Sequence, residues 1–157
     1  MKIMLPLAFT IIGWPALALE AIGTVTATLD GTEFRWEILR TDDGAAMVQV
    51  NAIGPMTMID LHAMGDGDFS VGLIFHGAPG ADAPPAGVTI DLRPDGAAGA
   101  LWKSAGAAAA PEFRIDRLDL DGAGRMEAGF TALLCRDDAP TECRTVEGRI
   151  DTELGAP

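Results

Sequence analysis

The feature that most constrains this chain is alternation. In "TVTATLDGTEFRWEIL", Val25, Ala27 and Leu29 fall on one side of an extended chain. After Asp30-Gly31, Phe34, Trp36 and Ile38 do the same, with Glu33, Arg35 and Glu37 on the other side. A period of two is the signature of a strand buried on one face. Asp-Gly between two such runs is a strong hairpin signal, because its turn needs positive φ at both central positions. The pattern recurs at Met47–Ile53, Met56–Met64, Phe69–His76, "VTIDL", Ala100–Ser104, "FRIDRLDL", "RMEAGFTALLC" and Arg144–Leu154. Gly-Pro, "TDDG", "RPDG" and "DGAG" punctuate it. No amphipathic helix longer than a turn or two is evident. "AGAAAAPE" (Ala105–Glu112) reads as a connector, at most one helical turn, and Gly77–Gly87 as a Pro/Gly loop.

About nine or ten short strands at regular spacing predict an all-β, antiparallel fold. The expected architecture is a two-sheet sandwich, with a closed meander β-barrel as the alternative.

The first residues, "MKIMLPLAFTIIGWPALALEAIG", have a different character. Lys2 precedes an apolar run from Met4 to Trp14, too short to span a bilayer at about 20 residues. Ala16-Leu17-Ala18 supplies the small-x-small site that signal peptidase accepts. Residues 1–18 are expected to be a cleaved secretory signal, and residues 19–157 a single all-β domain in the periplasm or outside the cell. No later stretch reads as a membrane span. Cys135 and Cys143 are then expected to form a disulfide across the base of a hairpin. The net charge of −12 repels phosphate backbones, so nucleic acid is a poor partner.

The layout "GTVTATLDGTEFRWEIL", "FSVGLIF", "DGAG" and "GFTALLC…C…VEGRID" resembles uncharacterised exported (periplasmic) all-β domains of Gram-negative bacteria. The resemblance implies export and fold, and assigns no catalytic residue.

The inventory for catalysis is small. There are two histidines, two serines and no tyrosine. Ser70 and His76 lie on one strand, about 20 Å apart at strand rise, and form no nucleophile–base pair. No GxSxG, GxGxxG or GxxxxGK[ST] motif occurs. The chain is therefore read as non-catalytic. "DRLDLDGAGRME" places Asp119, Asp121 and Gly122 at calcium-loop positions, but Arg117 and Ala128 stand where the first and last ligands belong. Asp121-Gly122 is better read as a turn.

One stretch carries metal-ligating chemistry. In "MTMIDLHAM", Met56, Met58, Asp60, His62 and Met64 share one strand face, and Ile59 and Leu61 the other. Thioether and imidazole suit Cu(I). Met-x-Met with a histidine and a nearby tryptophan is similar to the ligand style of small periplasmic copper chaperones with β-barrel folds. Packing is the competing role, since methionine fills cores adaptably and a bulge would turn this face inward. Two functional readings follow. The first is a binding or envelope-interaction module without a cofactor, meeting an envelope protein or small ligand. The second is a periplasmic copper protein using Met56, Met58, His62 and Met64.

Overall fold

The computed structural model describes residues 19–154; the expected leader and residues 155–157 lie outside them. Ten strands follow in order: β1 (Leu19–Leu29), β2 (Thr32–Thr41), β3 (Val48–Ile53), β4 (Met56–Gly65), β5 (Gly67–His76), β6 (Gly87–Arg93), β7 (Trp102–Lys103), β8 (Glu112–Asp119), β9 (Arg125–Arg136) and β10 (Cys143–Thr152). No helix occurs among the described residues; Ala105–Glu112 is a connector without a helical turn. The β1–β2 turn has φ of 51° at Asp30 and 79° at Gly31, the positive pair that the Asp-Gly signal requires.

Every pairing is antiparallel. The all-β antiparallel class is as expected, but one sheet carries all ten strands. It runs β1-β2-β4-β5-β6-β7-β9-β10 and returns to β1, the ring-like closure of the barrel alternative. The seams are thin. β2 meets β4 only at Trp36↔Gly65 and Glu37↔Met64, and β7 bridges β6 and β9 through two residue pairs on each side. These short ladders cover edges that a sandwich of two separate sheets would leave open. β3 and β8 lie outside the ring, paired to β4 and β9.

The alternation places the core. Val25, Trp36, Ile38, Ile59, Leu61, Leu73, Ile90, Met126, Leu134 and Ile150 are buried inside the ring. Trp36 of β2, Phe69 of β5 and Phe130 of β9 form a chain of ring contacts at 5.3 and 5.6 Å between centroids, tying opposite sides together. Cys135 and Cys143 face each other across the β9–β10 ladder and are disulfide-bonded.

Two glycines let the β4–β5 hairpin tip pack closely, Gly65 against β2 and Gly67 against the end of β6. β4 and β5 are joined through Asp66 alone, between Gly65 and Gly67. Gly67 has φ of 87°, and a Cβ there would lie 1.9 Å from the Arg93 carbonyl oxygen. A Cβ at Gly65 would lie 2.5 Å from the Arg35 carbonyl oxygen. The hairpin tip is tied to β2 by the Arg35 N–H, which donates to Asp66 Oδ2 at 3.0 Å, and by the Asp66 N–H, which donates to the Arg35 carbonyl at 3.1 Å. Asp66 thus anchors the hairpin tip to β2.

Candidate functional site

Two outward faces carry the chemistry. The first spans β3, β4, β5, β6 and β7. Ile59, Leu61 and Ala63 are buried, so the even-numbered residues of β4 face outward. No bulge interrupts β4 on its β5 side, and the Met face is not turned into the core. Met56 and Met58 are half-buried; His62 and Met64 are exposed. Met64 is eight residues from Met56, roughly 26 Å at strand rise. His62 is six residues from Met56, roughly 20 Å. Met56, Met58, His62 and Met64 are thus strung along a line and do not close on one ion.

The ladder brings other residues together instead. His76 stands directly opposite Met56, which also faces Ile53 on β3. Met58 lies between Asn51 and Ile74. Further along, His62 faces Ser70, Ser70 faces Asp91, and Asp91 faces Lys103. Burial raises the Asp91 carboxyl above its ordinary range, against the pull of Lys103 and Arg93. This row holds the residue types of a nucleophile relay in the wrong order. A relay needs the histidine between serine and carboxylate, so that the acid orients the base. Here serine is in the middle, on an open sheet face. Among the described residues no three His, Cys, Asp or Glu side chains gather as a metal cluster.

The second face belongs to β2, β1, β10, β9 and β8. It holds a depression of about 880 Å³ built from three ladder rows and Asp66. One outward row reads Arg35, Thr26, Arg149, Gly129, Arg114; the other reads Glu33, Thr28, Glu147, Thr131, Glu112. Between them runs the inward row Phe34, Ala27, Gly148, Phe130, Phe113. Three Glu-x-Arg columns therefore stand as ribs on β2, β10 and β8, separated by floors of Thr26/Thr28 and Gly129/Thr131.

Two of the three rib arginines share one carboxylate. Asp116 accepts from Arg114 Nε at 2.9 Å and from Arg149 Nη2 at 3.3 Å. Gly129 of β9 lies between Arg149 of β10 and Arg114 of β8 in the ladder row, and adds no side chain of its own there. The hydrogen bond from Arg114, with the charges of Arg114 and Arg149, holds the Asp116 carboxyl below its ordinary range.

The depression was not foreseen from the sequence, although its signal is present: "EFR" at 33–35, "EFR" at 112–114 and "EGR" at 147–149. The triplets are far apart along the chain, and only the ladder register aligns them. The chain matches no protein-family model, no curated protein and no solved structure.

Proposed function

We propose that this chain is an exported, non-catalytic binding module that receives an extended peptide segment bearing charges of both signs, supplied by an envelope protein. The observation that carries the reading is the alignment of three Glu-x-Arg columns into parallel acidic and basic rows over one depression. Adjacent strands are about 4.8 Å apart, so every second strand places like charges roughly 10 Å from one another. Within a column the opposite charges are about 7 Å apart. A ligand of single sign would meet repulsion from one row, whereas a mixed-charge ligand satisfies both. The pinning of Arg114 and Arg149 by Asp116 lowers the ordering cost of binding. The order of His62, Ser70 and Asp91 supports a non-catalytic role, and the leader-like residues 1–18 support export.

The test uses short extended peptides with alternating Lys and Glu, with all-Lys and all-Glu peptides as comparators, read by amide NMR. The mixed peptide is expected to shift Thr26, Thr28, Gly129 and Thr131, with affinity falling as salt rises. Gly129→Trp, which fills the floor, should abolish the shifts. Shifts elsewhere, or equal response to all three peptides, would overturn the reading.

A further inference from the structure

The β4–β5 register places a soft-metal ligand set that neither strand shows alone. The hairpin fixes Gly65↔Gly67 at one end, and the ladder runs without slip to Met56↔His76 at the other. Slipping it by one residue would turn Ile59, Leu61, Ala63, Phe69, Val71, Leu73 and Phe75 out of the core. The register is therefore held by most of the buried residues of both strands. It puts His76, twenty residues away in sequence, on the same face as Met56 and Met58.

Directly opposed residues have Cβ atoms about 4.5–5.5 Å apart, and diagonal ones about 7–8 Å. Met56 and His76 are opposed; Met58 is diagonal to His76. Each methionine sulfur lies two bonds beyond its Cβ on a flexible stem. The register thus puts two thioethers and one imidazole within reach of a common point above this corner of the sheet, and His62 and Met64 lie too far along β4 to join them.

We infer that Met56, Met58 and His76 form a three-coordinate site for monovalent copper, independent of the depression on the other half of the ring. The donor chemistry selects the ion. Thioether and neutral imidazole are soft and borderline ligands, suited to Cu(I) and poor for calcium or magnesium. Ile53 lies opposite Met56, and Ile74 opposite Met58. Both are exposed aliphatic side chains at the rim of the set. This apolar rim disfavours a hydrated hard ion and tolerates a weakly hydrated soft one. The nearest outward carboxylate on β4 is Asp60, the next position after Met58 on that face. The net charge of −12 draws cations toward the protein without adding a hard ligand to the set.

The test is anaerobic Cu(I) titration of the disulfide-intact protein against a chromogenic Cu(I) chelator. One equivalent should be taken up. Met58→Leu and His76→Ala should each weaken binding by about 10-fold or more, since even outer-shell changes cost metal sites that much. His62→Ala and Met64→Leu should leave it unchanged. A second readout uses Ag(I) as a mimic without redox chemistry: the Met56 and Met58 methyl resonances should move together while Met64 stays. No uptake would overturn the site, as would uptake lost in His62→Ala or Met64→Leu. The peptide experiment is unaffected by either result, so the two readings fail separately.

Discussion

Gly148 lies under the depression, on the inward row between Ala27 and Phe130. A Cβ built there would stand 2.5 Å from Phe130 Cζ, 2.6 Å from the Thr26 carbonyl oxygen and 2.8 Å from Ala27 Cβ. Gly148→Ala is therefore expected to overpack the core. Inserting a methyl into a filled core costs about 1–3 kcal/mol. Restricting the unfolded chain returns about 0.4–1 kcal/mol. The net expectation is a loss of about 1–2 kcal/mol. The three contacts differ in kind. The Phe130 ring can swing, but the Thr26 carbonyl and Ala27 Cβ are fixed by the backbone. Phe130→Leu should relieve only the first. In a double-mutant cycle the pair should be less harmful than the sum of its parts by about 0.5–1.5 kcal/mol, without reaching full rescue. Urea unfolding followed by tryptophan fluorescence reads this through the midpoint at unchanged slope. A neutral or stabilised Gly148→Ala, or a strictly additive cycle, would refute the packing argument.

Three further outcomes are expected. Replacing both Cys135 and Cys143 with alanine should cost about 2–2.5 kcal/mol, the loop-closure value for a separation of 8, and equal urea midpoints with and without the bridge would contradict it. Gly67→Ala should cost more than about 2 kcal/mol, because its φ is positive and the Arg93 carbonyl cannot move away as a side chain would; a cost below about 1 kcal/mol would sink the hairpin geometry. For Asp91, burial raises the folded pKa, so the native state holds its proton to higher pH than the unfolded chain. Stability attributable to this group is present below the unfolded value near 3.8 and declines as pH rises through the folded value. Asp91→Asn should flatten that decline in urea midpoints measured at successive pH values above 3.8, and an unchanged slope would argue against the burial.

The fold was largely legible because its signals are local. Alternation in β1, β2 and β9 grouped the residues that share one inward face, and Asp30-Gly31 gave its turn. The disulfide was legible for the same reason, since its strands are hairpin neighbours. Ring closure was less legible. It depends on Trp36↔Gly65 and on the two-residue β7, contacts too brief to leave a periodic trace. The expected strand at Ala100–Ser104 shortened to Trp102–Lys103 because it only bridges β6 and β9. At the sites, the grouping of Met56, Met58, His62 and Met64 on one face was readable, but which face is buried was not, nor that His76 stands opposite Met56. His62 was near in sequence and far along the ladder; His76 was the reverse. The three Glu-x-Arg triplets failed to register for a similar cause, since a repeat of three residues on separate strands acquires meaning only with cross-strand alignment.

The pairing of β1 with β10 has a consequence for how the molecule assembles. Gly23 lies opposite Thr152, and the Glu153 N–H donates to the Ile22 carbonyl at 3.0 Å, so the earliest and latest described strands complete each other. Contacts this distant in sequence are the slow ones, because the chain must find its own far end before any burial rewards the search. Strands β4, β5 and β6, a local meander, are expected to pair before β1 finds β10. Joining residues 19 and 154 by a short linker, with new ends in the Gly77–Gly87 loop, would turn the slowest contact into a hairpin. The permuted chain should reach the same ring faster, with the burden of delay moved to the β5–β6 pairing.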